Sequence, residues 1–191
     1  MLKKMMLLAL MALAATAFAI PTSASADQWI YEGAEIGEGE ELEQAYEGVL
    51  SFNTGPTGAF GCQVTAMVIT EGPEAGRVTS FSPTTGTCTG TIAFKGCVLA
   101  HHTANVPWRI GLASTPLVVT KPGGNLTIHN EYLPETCAGK QTTSHLEFKE
   151  IKAAVEGTNP ITKLVISGTA TNGVPASGSL TPEGTARLGI K

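Results

Sequence analysis

From Phe60 to Leu112 the chain alternates apolar and polar side chains with a period of two. Phe60, Cys62, Val64, Ala66 and Val68 fall on every second position. A strand sends successive side chains to opposite faces, so this spacing predicts a strand with one buried side. Residues 87–95 are predicted as a second such strand, with Cys88, Ile92 and Phe94 inward and Thr87, Thr89, Thr91 and Lys95 outward. After Gly96 the segment 97–100 resumes the pattern, and Val106, Trp108, Ile110 and Leu112 share another face.

The same rhythm extends in both directions. A short strand is predicted over residues 29–31 and a longer one over 42–52, with no helix cap before it. Gly72, Pro73 and Gly76 mark a turn ahead of a strand at 77–81. Residues 117–120 and 126–128 flank the glycine-rich 121–124 and read as a β-hairpin. In the segment 142–155, Leu146 and Phe148 alternate in one phase and Ile151, Ala153 and Val155 in the other. A bulge near Lys149 explains the flip, since one extra residue inverts the register; a short helix over 147–154 is the alternative. Leu164, Ile166, Gly168 and Ala170 lead into Asn172-Gly173, a hairpin dipeptide, and residues 174–181 return. Glu183-Gly184 then turns the chain into Ala186, Leu188 and Ile190. About ten to twelve short strands with turns at this spacing predict an all-β, single-domain antiparallel β-sandwich, with a β-barrel as the alternative.

The start of the chain belongs to export rather than to the fold. Lys3 and Lys4 precede an uncharged apolar run over 5–20, and Ala24-Ser25-Ala26 has the small-x-small form of a signal-peptidase site. Residues 1–26 are therefore read as a signal peptide and 27–191 as one secreted domain. Within it, 27–52 forms an acidic N-terminal strand and hairpin region and 60–191 a disulfide-bonded core. The apolar run is shorter than the roughly 20 residues of a membrane span, so no membrane span is expected. Leu133-Pro-Glu-Thr136 has the form of a sortase signal, but Cys137 replaces the glycine and no apolar tail follows. The expected location is extracellular, or periplasmic in a host with an outer membrane.

Export changes the reading of the cysteines. In an oxidising compartment Cys62, Cys88, Cys97 and Cys137 are expected to form structural disulfides rather than a redox or metal site. Four cysteines allow three connectivities. Cys62 and Cys88 occupy inward positions of the first two strands, where a cross-strand bridge forms readily. The preferred pairing is Cys62–Cys88 with Cys97–Cys137.

Charge narrows the partners. Without Lys3 and Lys4, ten basic residues face sixteen acidic ones, a net charge of −6. An acidic surface repels phosphate backbones, which argues against nucleic acid. Seven glutamates (32, 35, 38, 40, 41, 43 and 47) crowd one segment. Calcium loops draw on Asp and Asn around a glycine turn, and Asp27 is the only aspartate in the chain, so a solvated acidic hairpin is expected there.

No catalytic constellation stands out. The chain has neither a Gly-x-Ser-x-Gly elbow nor a His-Glu-x-x-His metal motif. Nothing singles out a pair of glutamates for glycoside hydrolysis. His101-His102 is the densest histidine feature, but adjacent strand residues face opposite sides. A metal site from His101, His129 and His145 is conceivable, although no metal and no cofactor is expected. Trp108 sits in an apolar phase and is assigned to the core, whereas Trp29 and Tyr31 are candidates for surface binding. Asn125-Leu-Thr127 is a glycosylation acceptor that matters only in a eukaryotic secretory route.

Residues 88–97 (Cys-Thr-Gly-Thr-Ile-Ala-Phe-Lys-Gly-Cys) through Val106-Pro-Trp108 resemble a bacterial exported family, the protein activator of alkane oxidation. So do Ile166-Ser-Gly-Thr169 and Ala176-Ser-Gly-Ser-Leu180. The resemblance spans roughly residues 60–181; the glutamate-rich segment departs from the Ser/Thr-rich start of that family. It implies a non-enzymatic extracellular protein that helps cells contact hydrophobic substrates, and it supplies no catalytic residues. The expected function is thus a secreted, non-enzymatic bacterial protein acting at the cell surface or in the medium. Its partner would be a hydrophobic substrate, a cell-surface component or a glycan. A small-ligand or glycan-binding module is the alternative.

Overall fold

The computed structural model describes residues 27–84, 88–112, 116–138 and 141–191; the segment assigned to the signal peptide lies outside them. Among the described residues there are fifteen strands. They are β1 (Trp29–Tyr31), β2 (Ala34–Glu35), β3 (Glu43–Asn53), β4 (Ala59–Thr70), β5 (Ala75–Pro83), β6 (Thr89–Gly90), β7 (Leu99–Ala104) and β8 (Trp108–Gly111). The remainder are β9 (Leu117–Thr120), β10 (Leu126–Tyr132), β11 (Thr143–Phe148), β12 (Glu150–Glu156), β13 (Lys163–Thr169), β14 (Pro175–Pro182) and β15 (Leu188–Ile190).

The fold is all-β, as the alternation predicts, but the layers are not two stacked sheets. Strands β3, β4, β5, β8, β9, β12, β13 and β14 pair in that order, all antiparallel, and β14 returns to β3. The result is an eight-stranded antiparallel barrel, the alternative rather than the favoured sandwich. Closure leaves no unpaired sheet edge in the wall. Inward positions carry Tyr46, Leu50, Phe52, Val64, Val68, Trp108, Ile110, Ile151, Leu164 and Leu180, all buried. Outward positions carry Glu43, Glu47, Gln63, Arg77, Lys152 and Ser177 among others. Apolar inside and polar outside is the reverse of a lipid-facing barrel. Among the described residues no helix is long and apolar enough to cross a membrane.

Two local devices shape the wall. Between Met67 and Val68 the pairing to β5 shifts, leaving Thr79 as an extra residue. This bulge moves the buried phase of β5 from Gly76 and Val78 to Phe81. Inside β3 and β14, Gly48 and Gly178 let the two backbones approach where a Cβ would collide with the neighbouring strand.

Two insertions leave the same rim and meet above it. The first, between β5 and β8, carries β6 and β7; the second, between β9 and β12, carries β10 and β11. β7, β10 and β11 form a three-stranded lid sheet with β10 in the centre. Its inner face presents Leu126, Ile128, Leu146 and Phe148 to the barrel, each at most 3% exposed. An aromatic seam joins the two bodies: Phe52–Phe60 and Phe60–Phe94 have ring centres 4.9 Å apart, and Phe94–Tyr132 5.8 Å. Cys62–Cys88 fastens the first insertion to the wall, and Cys97–Cys137 fastens the insertions to each other. No described cysteine is free. At the opposite rim β1 pairs with both β2 and β15.

Several sequence expectations require correction. Residues 87–95 are not one strand: Thr87 lies outside the described residues, β6 is two residues long, and a 3-10 turn follows at Ile92–Phe94. Ile92 is 64% exposed rather than inward. Residues 117–128 are not a hairpin, because β9 pairs with β8 and β12 while β10 pairs with β7 and β11. The phase flip at Lys149 is neither a bulge nor a helix. It is the point where the chain passes from the lid (β11) to the wall (β12).

Candidate functional site

The interior of a barrel is the first place to look for a ligand. Here side chains fill it. A cavity of about 70 Å³ remains, bordered by Tyr46, Leu50, Ala66, Phe81, Trp108 and Ile166 among other apolar side chains. An apolar cavity of about 150 Å³ accepts a benzene, and ligand pockets run from about 300 Å³ upward. Among the described residues the barrel interior leaves no chamber of that size.

Trp29 explains part of this. Its side chain is 1% exposed, borders the cavity and sits under the lower rim, where its backbone N donates to the Pro73 carbonyl at 2.7 Å. The expectation that Trp29 binds at the surface is therefore overturned: in β1 the indole points into the barrel. Among the described residues its buried Nε1 has no hydrogen-bond partner. Tyr31 is half-buried, and its hydroxyl accepts from Arg187 at 3.2 Å. Trp108 is core as expected, and its Nε1 donates to Asn105 Oδ1 at 2.7 Å.

The glutamate-rich segment spreads its charges over separate partners instead of gathering them. Glu41 and Glu71 both meet Arg77, Glu35 pairs with Lys191, and Glu32 with Arg187 at 3.3 Å. Among the described residues no three His, Cys, Asp or Glu side chains converge as a cation site.

The histidines divide between the two faces of the lid. His102 points toward the barrel: Nε2 lies 3.1 Å from the Phe81 carbonyl on β5, and Nδ1 lies 2.7 Å from Asn130 Oδ1. Buried Asn130 donates in turn to Ser144 Oγ at 3.2 Å, so this chain positions the lid on the wall. His101, His129 and His145 point away from the barrel. Register places His129 opposite His145, with ring centres 5.8 Å apart, and Glu131 opposite His101. Each of the first two also meets a carboxylate two residues along its own strand. His129 Nε2 lies 3.2 Å from Glu131, and His145 Nε2 lies 3.0 Å from Glu147. The hydrogen bonds from His145 and then Asn125 hold the Glu147 carboxyl below its ordinary range. The sequence names His101, His129 and His145 only as a conceivable group; their alignment on one sheet face depends on the pairing of β10 with β7 and β11, which the sequence pattern does not contain.

The remaining feature is an outer face of the wall. Across β13, β14, β3 and β4 one row reads Val165, Ser179, Val49, Gln63 and the next Ser167, Ser177, Ser51, Gly61. Neither row carries a charge. β6 continues the second row with Thr89, and Ile92 follows at the rim. Val49 is 50% exposed. Ile92 holds φ at 50°, a left-handed conformation that a β-branched residue rarely adopts. Exposed and strained together, it is out of place in an ordinary surface turn.

Comparison with protein-family models, with curated proteins and with solved structures yields no match to this chain.

Proposed function

We propose that this is an exported, non-enzymatic barrel that acts through its outer wall, bringing the uncharged face around Val49 and Ile92 against a hydrophobic surface. The carrying observation is the pairing of a filled, doubly capped interior with a neutral outer face whose rim holds Ile92 exposed in a strained conformation. Two disulfides suit an oxidising compartment, extracellular or periplasmic. They also suit a protein that must keep its shape at an interface, where contact with an apolar phase otherwise turns cores outward. The resemblance to the alkane-oxidation activators agrees with this reading. A small-ligand role gains no support from a cavity of about 70 Å³.

The test is interfacial. Purified protein is expected to lower hydrocarbon–water tension in a pendant drop more than a control protein of equal size and charge. Val49→Glu is expected to weaken that effect. Ile92→Gly is expected to weaken it as well while stabilising the fold by about 1 kcal/mol, because glycine relieves the left-handed strain. Tension curves indistinguishable from the control protein remove the proposal.

A further inference from the structure

We propose that the cleft between the lid and the β13–β14 hairpin is a saccharide site, suited to an oligosaccharide that carries an anionic group. The cleft opens where the chain leaves the lid at Lys149 and enters the wall at Glu150. Its volume, about 680 Å³, falls in the range of ligand pockets. Gly168, Ala170 and Ala176 place no long side chain on its floor, while Lys149, Lys152, Thr169 and Thr171 stand exposed around it. Thr171 N donates to the Glu147 carbonyl at 2.7 Å, which ties the hairpin to the lid and holds the cleft at a fixed width.

A second hollow of about 280 Å³ adjoins the first at Pro175, with Asn53 and Asn172 among its walls. Each of these amides spends its carbonyl on its own turn: Gly55 N donates to Asn53 Oδ1 at 2.9 Å, and Val174 N to Asn172 Oδ1 at 3.3 Å. That orients the side chains and leaves their Nδ2 groups as donors for a ligand. Hydroxyls and amides spread over two joined hollows match a chain of polyhydroxylated rings better than a compact ion. Neither hollow is lined by an aromatic side chain, so binding rests on hydrogen bonds and charge.

Charge selects the anionic group. The chain holds sixteen acidic residues, and Arg77, Lys152, Lys163, Arg187 and Lys191 each pair with a glutamate. Among the described residues Lys149 meets no carboxylate. Lys152 is offset by Glu150 at 3.5 Å, so the cleft keeps one cation in excess on an otherwise acidic protein. An ammonium on a flexible stem serves as a point charge for a carboxylate or phosphate substituent.

The test is NMR titration of the disulfide-bonded protein with a galacturonic acid trisaccharide, with glucose 6-phosphate, with maltotriose and with sodium acetate. The acidic trisaccharide is expected to shift the amides of Lys149, Ser167, Thr169 and Asn172 at millimolar concentration. Maltotriose should bind more weakly or not at all, and acetate should reach no further than Lys149. Glucose 6-phosphate shows whether phosphate replaces carboxylate as the anionic group. Lys149→Gln is expected to weaken binding of the acidic trisaccharide about two- to fivefold. Lys163→Gln, on β13 but outside the cleft, should leave it unchanged. Three outcomes overturn the proposal: no shifts centred on the cleft with either acidic sugar, acetate reproducing the full pattern of the trisaccharide, or an affinity that Lys149→Gln alters no more than Lys163→Gln.

Discussion

A Cβ on Gly48 would lie 2.0 Å from the carbonyl oxygen of Ser179 on the facing strand. The reciprocal position is as tight: a Cβ on Gly178 would lie 2.1 Å from the carbonyl oxygen of Val49. The two glycines bracket the Val49–Ser179 pair, so β3 and β14 meet most closely at the point where the barrel closes. Gly48→Ala and Gly178→Ala are each expected to cost at least about 3 kcal/mol, because the obstructing atoms are backbone and cannot rotate away. Urea denaturation checks this through a lower midpoint at unchanged slope. A loss under about 1 kcal/mol would mean that the strands separate easily here.

The disulfides do different work. Cys62–Cys88 joins an insertion to the wall across 26 positions, whereas Cys97–Cys137 joins the two insertions across 40. Replacing both Cys97 and Cys137 by alanine is expected to cost about 2–5 kcal/mol. Faster amide exchange should appear in β7, β10 and β11 before the wall strands β3, β4, β13 and β14. Uniformly faster exchange would show that lid and wall open as one unit. Intact mass without reductant should show no alkylatable thiol.

Trp29 closes the lower rim through its shape and area, since its Nε1 has no hydrogen-bond partner among the described residues to lose. Trp29→Phe is therefore expected to cost under about 2 kcal/mol and Trp29→Ala about 3–5 kcal/mol. Iodide should barely quench the tryptophan fluorescence of the native protein, because Trp29 and Trp108 are at most 3% exposed. Strong quenching would return Trp29 to the surface.

Local patterns in the sequence carried local structure well. The alternation from Phe60 to Val68 is the buried face of β4, and Asn172-Gly173 turns β13 into β14. Closure was not legible, because it rests on pairing β3 with β14, whose partners Phe52 and Ala176 are far apart in the chain. A sandwich and a barrel share the same two-residue period. Residues 117–128 misled for a related reason: two strand-like runs around glycines look like a hairpin whether they pair with each other or with distant strands. Ile92 and Phe94 matched a strand by spacing, but a 3-10 turn also separates them, and there Ile92 faces solvent. In the candidate sites, the run Trp29-Ile-Tyr31 is apolar throughout and has no polar phase to reveal its buried side. His101-His102 drew attention by adjacency, yet the strand splits them between the lid faces and register brings His129 to His145 instead.

The last expectation concerns alkaline pH. Burial pushes the Tyr46 phenol far above its ordinary range. Tyr132 moves the same way, burial outweighing the opposing hydrogen bonds from Ser144 and Asn130. Both folded values exceed the unfolded one, so the neutral rings favour the folded state fully below about pH 10. Above that pH the unfolded chain ionises while the folded chain does not, and stability falls by up to about 1.4 kcal/mol per pH unit for each such tyrosine. The rise in tyrosinate absorbance that belongs to Tyr46 and Tyr132 should therefore coincide with loss of near-UV circular dichroism. Tyr46→Phe should shallow the decline between pH 10 and the folded transition without altering stability's response to acid. If Tyr46 and Tyr132 ionise before the fold is lost, their phenols are reachable by hydroxide and the packing around the barrel and its seam is looser than described.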